Sequence, residues 1–307
     1  MDRLPDAARL VTFARVARHG SLTSAARSLG ITTSAVSQQM TALEAECGVR
    51  LLDREPRGAV LTSAGEVLLQ RADELVRHLD ETATTMAQLS GELAGRVRVS
   101  TIASGATSLI LPAARVLDRT APAVAMTVSV HEPQASLEAL DDGAVDLALI
   151  DVYDHVPLAL PSHLLVEEVL TEPLVLVTHR DADVPRRPTL EALSTHDWVL
   201  PPATSACGAA TRHACRAAGF EPRSAWETED LLLLVAAVSR GEGVALLPRR
   251  AVADSVAPVE IRRLVSPVLG RRLLLVARNA TAQRPIVRAC LDAIHHVGRR
   301  APAPATA

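Results

Sequence analysis

The chain has 307 residues, 48% hydrophobic and 22% charged, a balance that describes folded globular material and a length beyond one ordinary core. The formal net charge is -3, so no overall positive field draws it to nucleic acid, and any DNA contact must be made locally. Aromatic residues are 2% of the total, which argues against a single-strand or RNA binder built on stacking platforms.

Leu10, Phe13, Val16 and Ala17 recur at helical spacing before Gly20, which predicts a first helix closing a small three-helix core. Ser21 is a good N-cap for a short helix through Ala25, Ala26 and Leu29, and Gly30 supplies the left-handed residue that ends it. Thr32 caps the next helix, whose Val36, Met40 and Leu43 face inward across the small Ala25 and Ala26. The outward face carries Thr33, Ser34, Ser37, Gln38 and Thr41, with no charge between Thr32 and Ala42. A solvated helix usually shows Glu, Lys or Arg. Short hydroxyls and amides are what a helix needs to lie against base edges in a major groove and to bond phosphates from its N-terminus.

Asp53 to Leu61 then reads as a small hairpin, with Pro56 and Gly58 suited to a type I turn, Arg57 at the tip and Arg54 at the base. All 32 basic residues of the chain are Arg, and one on such a wing can reach a phosphate or the minor groove. Thr62 or Ser63 caps a long helix, Ser63 and Glu66 making a capping-box pattern. Along it Leu68, Ala72, Leu75, Leu79, Thr82, Met86 and Leu89 alternate in steps of four and three, a heptad seam that needs a partner. Gly91 and Gly95 mark residues 91–95 as a hinge.

From Arg96 onward strands alternate with helices, which predicts α/β architecture with largely parallel sheets. Strand-like runs are Val97 to Ile102, Met126 to Val130, Leu147 to Ile150, Leu174 to Val177, Val244 to Leu247 and Leu273 to Ala277. Helix-like runs lie near 108–118, 134–142, 206–218, 230–240 and 284–297, and residues 299–307 read as a disordered tail. Ligands of such sheets sit where strands end and helices begin. The junctions singled out are Ser100 to Ser104, Thr204 with Ser205, and Glu229 with Asp230, so Thr101, Ser104, Thr204, Ser205, Glu229 and Asp230 are the candidate ligand contacts. Asp230 also suits a simple N-cap for the helix beginning at Leu231; if the carboxylates face a cleft, they favour a cationic or polar ligand.

These residues together resemble the LysR-type transcriptional regulators over essentially the whole chain. The most specific matches run from Phe13 through Gly20-Ser-Leu-Thr-Ser-Ala-Ala26 to Leu43, Glu44, Gly48, Leu51 and Arg54, and then Leu61-Thr-Ser-Ala-Gly-Glu66. The later half is matched by Gly95 to Val99, Leu111-Pro112, Gly143 with Asp146 to Ala148, Ala218-Gly219-Phe220 and Gly241 to Pro248. The resemblance implies a winged helix-turn-helix over 1–62, a linker helix over 63–90 and an effector-binding domain over 96–298. That domain would have the two-lobed α/β fold of periplasmic binding proteins, with lobe I from 96–165 and 267–298 and lobe II from 166–266. It also implies double-stranded DNA as partner, a small-molecule effector between the lobes, and a homodimer or homotetramer joined through Leu68, Leu75, Leu79 and Met86. The family often begins its reading helix with Ser-Gln-Pro where this chain has Thr32-Thr33-Ser34, and carries Arg where this chain has Gln38, so operator sequence does not transfer.

Two other readings compete. A redox sensor would use Cys207 and Cys215, the latter near the place of one cysteine of the family's peroxide sensors; eight residues apart on a helix the two are about 12 Å apart, beyond disulfide reach. Cys47 and Cys290 complete the set, with no zinc-like spacing. An enzyme on a two-lobed fold finds little support, because no nucleophile elbow, phosphate loop or cofactor motif occurs. No stretch approaches a membrane span and no apolar leader follows a basic N-terminus, so a cytoplasmic protein is expected.

Overall fold

The computed structural model describes residues 5–55, 58–89, 93–253 and 257–300. Contacts divide the chain into two compact units, one up to residue 90 and one from residue 91. In the first, α1 (Ala7–His19), α2 (Leu22–Leu29) and α3 (Thr33–Cys47) precede a hairpin of β1 (Leu52–Glu55) and β2 (Gly58–Leu61), and then α4 (Ser63–Leu89).

The expected caps set the helix ends. Ser21 accepts from the Ser24 amide and Thr32 from the Ala35 amide, while Gly20, Gly30 and Gly48 turn the chain at positive φ. Val36, Met40 and Leu43 are buried with Phe13, Val16, Ala25 and Ala26 in one core. Glu44 fastens the end of α3 to the hairpin, its Oε1 accepting from the Leu51 and Leu52 amides at 2.8 and 3.2 Å. Of the two candidates for the cap of α4, Thr62 takes the role, its hydroxyl accepting from the Gly65 amide at 3.0 Å. Ser63 lies inside the helix, which corrects the Ser63–Glu66 capping box. A Cβ on Gly65 would lie 2.2 Å from the Leu51 carbonyl oxygen, so only glycine lets α4 start against that strand.

The second unit begins with β3 (Gly95–Thr101), α5 (Ala103–Gly105), a π-helical turn (Ala106–Ile110), α6 (Leu111–Thr120), β4 (Val124–Val130), α7 (Pro133–Asp141) and β5 (Leu147–Tyr153). The long β6 (Leu164–His179) is followed by β7 (Asp197–Leu200), α8 (Ala206–Ala217), β8 (Arg223–Glu227), α9 (Leu231–Ser239), β9 (Ala245–Pro248), α10 (Arg249–Val252) and β10 (Val259–Arg262). β11 (Gly270–Arg278), α11 (Asn279–Ala282) and α12 (Pro285–Arg300) close it.

β3 pairs in parallel with β4 and β5, but β11 runs antiparallel to both β5 and β6. The sheet is therefore mixed, a correction to the largely parallel expectation. The reason is the path of β6. Residues up to Pro173 pair with β11, whereas Leu174 onward pair with β9 and β10, so one strand serves two lobes and its neighbours must run back along it. The first lobe packs Val97, Val99, Leu147, Leu273 and Ile286 around one core. The second packs Leu176, Leu200, Leu246 and Cys215 around the fully buried Trp198, with a further cluster under α9. Asp146, also buried, accepts from the Arg98 amide and guanidinium and from Arg284, tying β3, β5 and the last helix region of the first lobe together.

Candidate functional site

Two surfaces carry the polar groups singled out in the sequence, one in each unit. On α3, Thr32, Thr33, Ser34, Gln38 and Thr41 are exposed and Ser37 is half-buried. Thr32 Oγ1 lies 2.9 Å from Ser34 Oγ, and Thr41 bonds back to the Ser37 carbonyl at 3.0 Å. The helix thus presents a stripe of hydroxyls and one long amide on a rigid frame, because the opposite stripe is buried to 2% exposure or less at Val36, Met40 and Leu43. In the hairpin Arg54 pairs with Ala59. The Arg54 side chain and the whole of Arg57, the proposed tip, lie outside the described residues.

On α4 the heptad seam divides. Ala72 is fully buried, and Leu68 and Leu75, each half-buried, pack with it against the core of their own unit. Leu79 and Met86, one heptad apart, are 48% and 56% exposed. Arg18 on α1 bonds Asp73 at 2.7 Å and holds the proximal half of α4 in place.

Within the second unit a cleft opens between the lobes, with about 580 Å³ of space counting its mouth. Ser104, Glu132, Asp151, Tyr153 and Arg271 line it from the first lobe, and Ser205, Ala206, Cys207 and Glu229 from the second, with Leu231, Leu234 and Leu247 as apolar floor. Its innermost feature is a charge network at the strand crossing. Arg271 on β11 is 2% exposed and donates to Glu172 Oε1 from Nε and Nη2 at 2.9 and 2.7 Å, and to Asp151 Oδ2 from Nη1 at 2.8 Å. Glu172 in turn accepts the Arg250 amide at 2.9 Å, so one carboxylate joins the crossing strand to α10. Burial works against the Arg271 charge, but Tyr153, Glu172 and Asp151 outweigh it and hold the guanidinium protonated above its ordinary range. At the cleft mouth burial raises the Glu132 carboxyl, and the nearby Asp151 and Glu229 carboxylates add to the effect.

Of the sequence candidates, Ser104, Ser205 and Glu229 line this cleft. Thr204 lines an adjoining recess shared with Glu132, Asp151 and Ser205. Thr101 does not belong: it is fully buried, its hydroxyl donating to the Ile102 carbonyl, and a Cβ on Gly105 would press to 2.8 Å from it. Asp230 takes the N-cap role weighed for it, accepting from the Leu232 and Leu233 amides at 2.8 and 3.3 Å at the start of α9. Ser205 caps α8 as well, donating to the Pro202 carbonyl and accepting from the Gly208 amide. Glu132, Asp151, Tyr153 and Arg271 were missed. Glu132 follows the end of the parallel strand β4, so the junction rule covers it; Asp151 lies inside β5 opposite Leu273 of the antiparallel β11, Arg271 lies near the start of β11, and neither carries such a mark.

Residues 90–299 match the model of the LysR substrate binding domain, and residues 8–66 that of the bacterial regulatory helix-turn-helix protein, lysR family. The chain belongs to the LysR family. It is a DNA-binding transcriptional regulator with an effector-binding domain. Among curated relatives it is 30% identical to the probable HTH-type transcriptional regulator LrrA of Synechococcus elongatus, over 93% of this chain and 95% of that protein. It is 28% identical to the nitrogen assimilation regulatory protein nac of Escherichia coli over 87% of each, and 30% identical to a probable hydrogen peroxide-inducible genes activator of Streptomyces viridosporus over 92%. Among solved structures it shares its fold with CbnR, a LysR family regulator, in complex with target DNA: TM-score 0.73, 20% identity, 95% of this chain and 99% of that one.

The cysteines of this LysR regulator are free thiols, Cys215 and Cys290 buried and Cys47 and Cys207 half-buried. Burial pushes the Cys207 thiol up to about 11, and those of Cys215 and Cys290 up to about 12. Burial also raises Cys47. No helix among the described residues is long and apolar enough to cross a membrane.

Proposed function

We propose that α3 is the reading helix, with Thr32, Ser34 and Ser37 positioning it on phosphates, Thr33 and Gln38 meeting base edges, and Arg54 and Arg57 of the wing reaching the flanking backbone. The observation that carries this reading is the exposed, uncharged face of a helix whose opposite stripe is locked into the core. A small molecule enters the inter-lobe cleft, where Ser104, Ser205 and Glu229 join Glu132 and Asp151. Its affinity depends on the angle between lobes, and it shifts DNA binding as far as that affinity differs, typically by about 1 to 3 kcal/mol. Leu79 and Met86 pair α4 with a second copy, giving a homodimer or a homotetramer, and the protein works in the cytoplasm without enzymatic turnover. The exposed heptad pair supports the pairing. Arg57→Ala tests the wing: binding to all duplexes should weaken, and the slope of log affinity against log salt should fall by about one ion. An unchanged slope would place Arg57 away from DNA.

A further inference from the structure

We infer that the inter-lobe cleft selects an effector bearing an ammonium or guanidinium group, held between Glu132 of the first lobe and Glu229 of the second; this rests on the reading of the cleft as the effector site. Three carboxylates, Glu132, Asp151 and Glu229, line the space. The one guanidinium among its lining residues, Arg271, is committed to Asp151 and Glu172, and its Nη1 also lies 3.5 Å from the Tyr153 hydroxyl. An incoming carboxylate would share that guanidinium with two carboxylates already bonded to it and would meet two further negative groups.

Glu132 and Glu229 have no ion-pair partner among the described residues, and they belong to different lobes. A cation set between them is attracted to both, so its binding favours the arrangement that brings the lobes together. Burial is the main reason the Glu132 carboxyl is raised, and the Asp151 and Glu229 carboxylates add to it. Leu231, Leu234 and Leu247 make an apolar floor suited to a short methylene chain behind the charged head.

The test uses the full chain and four matched probes: putrescine and agmatine, the dicarboxylate succinate, and neutral 1,4-butanediol. Putrescine or agmatine should raise the melting temperature saturably, while succinate and butanediol should not. Glu132→Gln and Glu229→Gln, both at exposed positions, should each raise the half-effect concentration about tenfold or more. Failure of both cationic probes to stabilise the wild type, or an undiminished response in both variants, overturns the inference. Stabilisation by succinate also overturns it, and Ala206→Trp, which fills the cleft, then separates the two readings. Loss of the succinate effect in that variant keeps the cleft and discards the charge rule. A response to any probe that survives Ala206→Trp discards the cleft itself.

Discussion

The face of α3 and the inter-lobe cleft are both polar, yet their polar groups are committed in opposite ways. On α3 the caps use Thr32, and Thr33 and Gln38 stand outward on a helix held from behind by Val36, Met40 and Leu43. In the cleft the strongest group, Arg271, is bonded to carboxylates from two strands before any ligand arrives. On the proposed reading, the first surface meets a partner that supplies its own donors and acceptors. The second spends an ion network on the crossing point between lobes and leaves Glu132 and Glu229 at the rim. The α3 face is therefore built from one continuous segment, and the cleft from strands and helices scattered between Ile102 and Arg271.

Breaking the network should give the largest effect. Arg271→Met leaves Asp151 and Glu172 buried without their partner, which should cost the second unit about 3–5 kcal/mol in urea unfolding. The deficit relative to wild type should shrink as pH falls, because protonated carboxyls carry no charge into the interior. A loss below about 1 kcal/mol would show that Asp151 and Glu172 find water.

The divided heptad of α4 sharpens the comparison next. Leu75→Asp puts a charge into the core of the DNA-binding unit and should lower its stability by roughly 2 to 4 kcal/mol. Leu79→Asp lies beyond that core and should leave the melting of the unit nearly unchanged while splitting dimers in sedimentation. Equal melting losses in both variants, with an unchanged oligomer, would make α4 a core helix throughout.

The cysteines should give the smallest response. Thiols held at about 11 and 12 are almost wholly protonated at pH 7.5, so Cys207, Cys215 and Cys290 should resist iodoacetamide in the folded chain and react only as pH climbs toward those values. Peroxide should leave DNA binding unchanged, and rapid labelling of Cys215 at neutral pH would revive the redox reading.

What could be read from sequence follows the same divide. Caps, turns and helical periodicity act over a few residues, so Ser21, Gly30, Thr32 and the buried stripe of α3 were legible in order. Most strands with continuous apolar runs were legible too, but β7, with its buried Trp198-Val-Leu200, and the 164–173 half of β6 were not. β8 was missed because all five of its residues are exposed, and β10 because Val259-Glu-Ile-Arg262 alternates too briefly to stand out. Thr101 was misplaced because a hydroxyl at a strand end can turn inward as well as outward, and only packing around Gly105 decides which. The Asp151–Arg271–Glu172 network joins residues up to 120 positions apart, and no local pattern announces such a meeting.

Base selection from a random duplex pool tests most directly whether α3 reads the operator. Wild type, Thr33→Ala and Gln38→Ala chains are compared at one salt concentration. Each substitution should relax preference at a few defined base positions, by about 1 to 3 kcal/mol where a bidentate contact is lost, with the rest of the site unchanged. A uniform fall in binding across all sequences, with every base preference intact, would contradict it.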